Sequence, residues 1–288
     1  MQYRTDLALE AAQQWAGSLP PDARQREETV GAVTLHCLTL GEQSAAQLGR
    51  AAGEYVTAQL PPLTDNEQQL EEMARTVAQE LTRLLPPSGT VLVVGLGNEA
   101  ITPDALGPRA ARMVLATRHI RGELARSAGL DDLRPVAVLS PGVLGHTGME
   151  SGELTAGACA CVQPSAVIAV DALAAGSLSR LGCTVQLSNT GIAPGSGVGN
   201  NRRPLDEKLL GVPVIGIGVP TVVDASTLAR ELTGQDGGET VSPRGAAMMV
   251  TPREVDLMIA RASRLVAMIV NAALQPEYSP LELCAAAV

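Results

Sequence analysis

Residues Val91 to Ala111 read VLVVGLGNEAITPDALGPRAA, and the fold turns on this stretch. A run of apolar and β-branched residues enters a Gly95-Leu96-Gly97-Asn98 turn. After a short loop, Pro103-Asp104 opens an amphipathic pattern through His119, with Leu106, Met113, Val114 and Thr117 on one face. The apolar run suits a parallel strand covered on both faces, and open α/β sheets place their ligands beyond the C-terminal ends of such strands. The spacing therefore predicts a strand, a site loop and a helix, with Asp104 at the helix start.

Outward from that stretch the same grammar repeats. Apolar runs at Pro135 to Leu139, Ala166 to Val170, Thr184 to Leu187 and Val212 to Ile217 are separated by Gly-rich or Pro-rich loops and helical patterns. This alternation predicts an α/β domain over 88–275, with a mostly parallel central sheet and helices on both faces. A helix from Thr64, with Glu67 completing a capping box, carries Leu70, Met73, Val77, Leu81 and Leu84 on one face and stops at Pro86-Pro87. The last long helix spans Thr251 to Leu274, with Thr251 as its cap and Pro252 in the first position. Residues 1–87 form a small N-terminal β/α annex with a short helix in Thr5 to Trp15 and strands in Thr29 to Leu40 and Glu54 to Leu60. Gly234 to Gly245 reads as a loop, and 276–288 as a tail with no expected element.

Composition bounds the partners. With 288 residues and 45% apolar content the chain can fill a sizeable core, yet it has no Phe and only Trp15 and three Tyr, so that core is aliphatic. A formal charge of -9 without a basic block argues against direct nucleic-acid binding, which draws on phosphate neutralisation. No uninterrupted apolar run reaches the ~18 residues of a membrane span, and the N-terminus lacks a basic region followed by an apolar one. A cytoplasmic protein is expected. The five cysteines lack a framework spacing and read as reduced thiols; Cys159-x-Cys161 has no second pair to make a metal site.

Three loops carry polar residues at strand ends: Gly95 to Asp104, Ser140 to Ser151, and Ser188 to Asn201, joined by Asp171 after Val170. In a parallel sheet these ends share one edge, so Asp104 and Asp171 are expected to converge. A carboxylate directly after a buried strand is desolvated, and a second one nearby raises one of the two pKa values further. Such a pair divides general base and general acid work. The alternative is that Asp104 is a helix N-cap and Asp171 a capping or turn residue. The backbone at Gly195, Ser196 and Gly197 is either an oxyanion or anion nest or a permissive loop, and Asn98 belongs to the same group. Gly95-x-Gly97-Asn98 lacks the third Gly of a dinucleotide fingerprint and the Lys-Ser/Thr of a P-loop. Ser140, Ser151 or Ser196 with His146 makes no nucleophile elbow. Two other readings stay open: a metal site built from Asp104, Asp171 and His146, and a non-catalytic protein that binds a nucleotide or anion. The leading reading needs no cofactor.

The motifs VVGLGN, TPDALGP, Thr117 to His119, Leu133 to Val136, SPGVLGHTGMES, AVIAVDALA, TGIAPGSGVGN, Leu210 to Ala225 and MVTPREVD occur in that order. Together with RTDLALE (Arg4 to Glu10) they resemble the bacterial spore germination proteases. The resemblance implies an endopeptidase that degrades small acid-soluble spore proteins during germination in the spore core, made as a zymogen and assembled as a homotetramer. It further implies a fold similar to that of hydrogenase maturation endopeptidases and a mechanism resting on two aspartates, which fall on Asp104 and Asp171. Three departures stand out: Asn189 replaces a family Asp, the segment Ser226 to Met248 is short, and only Met1, Gln2 and Tyr3 precede Arg4. The last argues against N-terminal self-cleavage.

Overall fold

The computed structural model describes residues 5–15, 18–65, 69–120, 122–127, 129–193, 195, 203–234 and 248–287. Its strands are β1 (Ala23–Val30), β2 (Val33–Leu40), β3 (Gly53–Gln59), β4 (Val91–Gly95), β5 (Val136–Leu139), β6 (Ala166–Ala175), β7 (Thr184–Ser188), β8 (Val214–Asp224) and β9 (Met249–Val250). They join one sheet in the order β1-β2-β3-β7-β8-β6-β4-β5, with β9 on the far end of β8. The helices are α1 (Ala8–Ala12), α2 (Glu42–Leu48), α3 (Leu70–Leu84), α4 (Leu106–Arg112), α5 (Gly122–Ser127), α6 (Leu144–Thr147), α7 (Ser151–Val162), α8 (Glu207–Leu210), α9 (Ala225–Thr233), α10 (Val255–Leu274) and α11 (Pro280–Ala286).

The chain is thus α/β with helices on both faces. The sheet itself is mixed rather than mostly parallel. Strands β8, β6, β4 and β5 run parallel, whereas β1, β2, β3, β7 and β9 enter through antiparallel pairings. The N-terminal strands extend the central sheet through β3 and β7. Strand β1 escaped the sequence pattern because ARQREETV is exposed beyond Ala23 and has no apolar alternation. Its charges suit a sheet edge, where they discourage pairing with other chains.

Strand β6 shows why the core forms where it does. Ala166, Ile168 and Val170 face the side covered by α3, α4 and α10, while Val167 and Ala169 face Leu92, Val94 and Cys159 on the other. Both faces are dry, so β6 must be apolar at consecutive positions. Helix α10 is long and apolar enough to cross a membrane by length and composition alone, although Arg261 and Arg264 interrupt its apolar run. Its position explains the hydropathy: Met258 to Leu274 is almost wholly buried against the sheet and α3.

Several element boundaries differ from expectation. The pattern through His119 forms only α4, because Thr117 turns back to bond Val136 at the start of β5. Helix α3 begins at Leu70; Glu67 of the expected capping box lies outside the described residues. Helix α10 starts at Val255, after Pro252, Arg253 and Glu254 have made a turn. The tail holds α11, capped by the Ser279 hydroxyl and opened by Pro280. Most of the expected Gly234 to Gly245 loop lies outside the described residues.

Candidate active site

Asp104 ends a 3-10 turn, Thr102–Asp104, that leads into α4. Two glycines set its place. Gly97 has φ +114°, and a Cβ there would lie 2.1 Å from the Asp104 carbonyl oxygen. At Gly95, where β4 ends, a Cβ would lie 2.3 Å from the Gly107 carbonyl oxygen in α4. The glycines let the turn and helix fold tightly back over the strand end. Asp104 does not cap α4, whose N-cap is Ala105. Its Oδ2 instead accepts the backbone N–H of Asn98 at 2.7 Å, while the Asn98 side chain accepts from Ala100. The Asn98 amide therefore aims a carboxylate in this arrangement.

Asp171 stands within a strand rather than at its end: β6 continues through it to Ala175. It is 4% exposed. Its pKa is raised well above the ordinary carboxylate value, first by burial and then by the negative charges of Asp104 and Asp6, against weaker stabilisation by the backbone amides of Ala172 and Gly195. The Ala172 N–H reaches Asp171 Oδ1 at 2.9 Å. Asp104 and Asp171, far apart in sequence, therefore meet closely enough to repel.

The loop after β7 reaches the pair by a different route from the one expected. Strand β7 is antiparallel to β8, so its C-terminal end lies at the opposite sheet edge from those of β4, β6 and β8. The chain crosses back over the face through Gly191, bonded to Val214, and Ile192, bridged to Leu205, before Gly195 meets Asp171. Ser196 and Gly197 lie outside the described residues. Asn189 is exposed, and its Oδ1 accepts the Glu54 N–H at 2.8 Å, closing the β3–β7 ladder.

His146 is exposed on the short helix α6, and Ser151 is buried at the start of α7. Among the described residues, no three His, Cys, Asp or Glu side chains gather as metal donors.

A groove of about 1130 Å³ opens along β7 and β8 and the Asp6 segment; neither Asp104 nor Asp171 lines it. Gly216 and Gly218 of β8 form part of its lining, in register with Ser188 and Gln186 of β7. Gly218 is also the in-register neighbour of Asp171 on β6. Leu173 and Asp6 bring the lining back to the Asp171 strand. Three contributors were missed in the sequence: Asp6, Gln186 and the glycines of Val214-Ile215-Gly216-Ile217-Gly218. The glycine alternation was a readable signal, since two small residues on one face of a buried strand leave room for a ligand or another backbone.

The chain matches the family model described as germination protease over residues 10–234. A germination protease from Caldanaerobacter subterraneus subsp. tengcongensis is 40% identical, with 97% of this chain and 96% of the relative covered. One from Clostridium acetobutylicum is 37% identical, with 95% of each covered. Among solved structures, a [NiFe] hydrogenase maturation protease from Thermococcus kodakarensis KOD1 matches with a TM-score of 0.39 and 20% identity, over 67% of this chain and 98% of the other.

Proposed function

This chain belongs to the germination protease family, and from that premise we propose that it is an endopeptidase that degrades small acid-soluble spore proteins during germination, using Asp104 and Asp171 as its acid–base pair. One observation carries the mechanism: a fully buried carboxyl, with its pKa pushed up, sits beside a half-buried carboxylate held by a backbone amide. Unequal environments divide a pair into a protonated and an ionised member.

In this reading Asp171 holds the proton and Asp104 is the anion. Asp104 takes a proton from water as the water oxygen bonds to the scissile carbonyl carbon. Asp171 gives its proton to the amide nitrogen as the carbon–nitrogen bond breaks, leaving a carboxylic acid and an amine. Proton exchange with solvent restores the starting state. The Gly195 amide holds the Asp171 carboxyl, and the groove beside Gly218 receives the extended peptide.

The test is cleavage of a purified small acid-soluble spore protein by wild type, Asp104→Asn and Asp171→Asn. Each variant is expected to fold and to lose about 10²–10⁴-fold in kcat, the range of acid–base catalysis. Near-full activity in either folded variant refutes the pair. The family also leads us to propose a homotetramer working in the spore core, which sedimentation and fractionation of germinating spores would test.

A further inference from the structure

Strand β4 ends at Gly95, opposite Val170, while β6 runs on to Ala175. Beyond that point the flank of β6 vacated by β4 must find other partners for its backbone, because unpaired buried amides are costly. Three alternate amides along it each meet a carboxylate. The Ala172 N–H donates to Asp171 Oδ1 at 2.9 Å, Ala174 to Asp6 Oδ2 at 2.8 Å and Gly176 to Glu10 Oε2 at 2.7 Å.

Asp6 makes a two-point bridge, since its own N–H also donates to the Ala174 carbonyl at 2.9 Å. The segment that carries it is held from several sides. Gln186 donates from Nε2 to the Asp6 carbonyl at 2.8 Å and accepts the Ala8 N–H at 2.7 Å. Arg50 donates to the Thr5 carbonyl at 2.8 Å, and Leu7 is completely buried. This much anchoring exceeds what a terminal segment needs simply to stay attached. It fixes Asp6 three residues along the strand from Asp171, on the wall of the groove.

We propose that Asp6 is a positioning residue of the active site, which clamps the free flank of β6 at Ala174 and thereby holds the strand that carries the Asp171 carboxyl. The proposal rests on the catalytic reading of Asp171. Asp6 acts mainly through the strand; its negative charge is a lesser influence on Asp171, behind burial and Asp104.

The test measures kcat and KM for Asp6→Ala, Asp6→Asn and Asp171→Asn on the same spore-protein substrate, with amide hydrogen exchange over 172–176. Fluorescence of Trp15, the only tryptophan, reports whether the N-terminal segment stays docked. Asp6→Ala is expected to keep the Trp15 emission, speed exchange at Ala174 and lower kcat about 10–100-fold, as displacements near 1 Å do, with KM within about twofold. Asp6→Asn keeps an acceptor for the Ala174 amide and should retain kcat within about threefold. The proposal is overturned if Asp6→Ala matches wild-type kcat, if only KM changes, or if Asp6→Asn falls as far as Asp6→Ala. Should Asp6→Ala undock the segment, Asp6→Glu replaces it: the longer arm keeps the charge but shifts the clamp, so a wild-type kcat there overturns the proposal. An active Asp171→Asn would instead sink the catalytic pair, whatever Asp6 does, so the two failures are distinct.

Discussion

Replacing Asp171 with Asn should make the protein more stable at neutral pH while abolishing its activity. Burial and the charges of Asp104 and Asp6 raise the Asp171 pKa in the folded chain, so the native state keeps a proton that the unfolded chain gives up near pH 4. Between that pH and the higher folded value the native state binds more protons than the unfolded one, and wild-type stability falls as pH rises, by ~1.4 kcal/mol per pH unit for one group. Asn is neutral throughout and can still accept the Ala172 N–H, so it escapes this loss. With a urea m-value of ~3 kcal/mol/M, the midpoints of the two proteins should separate by about 0.5 M per pH unit between pH 4 and the folded pKa of Asp171 and hold constant above it, with the Asp171→Asn protein the more stable. Below pH 4 both side chains are neutral and the separation should close. Urea unfolding followed by Trp15 fluorescence from pH 3.5 to 8 measures this directly. Parallel stability curves across that range would refute the account of a buried, proton-holding carboxyl.

Gly97→Ala places a Cβ 2.1 Å from the Asp104 carbonyl at φ +114°; a loss of about 1–3 kcal/mol in urea unfolding and about 100-fold in kcat is expected, and an unchanged kcat would separate the turn from the chemistry. Ala51→Trp adds bulk at the groove lining and should raise KM about tenfold with kcat nearly unchanged in steady-state assays, because it obstructs binding rather than proton transfer. Exhaustive treatment with a chelator should leave cleavage intact; loss of activity restored by a divalent metal would overturn the metal-free pair.

The strand and turn grammar around Val91 to Ala111 was legible because each constraint there is local. An apolar run covered on both faces looks the same wherever it occurs, and Gly97 is fixed by contacts within seven residues. Asp104 and Asp171 were readable as a pair for a related reason: β4 and β6 are parallel neighbours, and the polar residues stand out against apolar runs. Strand direction was less legible. Thr184 to Leu187 has the same apolar character whether it runs up or down, and its antiparallel course follows from the β3 and β8 registers. Strand β1 was hidden for the opposite reason, since an exposed edge has no core to impose alternation. The groove depends on Gly216 and Gly218 facing Gln186 and Ser188, a coincidence of two registers that neither segment shows alone.

The site itself follows from a mismatch in strand length. Had β4 been as long as β6, its backbone would have paired with Ala172 and Ala174, leaving no place on that flank for Asp171 to bond its own strand or for Asp6 to enter. Because β4 stops at Gly95, its chain turns away through Leu96, whose N–H still bonds Val170 at 2.8 Å, and the following turn carries Asp104 close enough to Asp171 to repel it. Strand β6 meanwhile continues with β8 beside it, which keeps Asp171 rigid and desolvated although one flank has lost its neighbour. A carboxyl on a paired strand interior would be inaccessible, and one on a free loop would be solvated and ordinary. The shortened neighbour leaves Asp171 buried on a strand with one open flank, the setting in which burial and the Asp104 charge raise its pKa. The same gap admits Asp6 to the Ala174 backbone, so the N-terminal segment and the Asp104 turn both pack where β4 no longer runs.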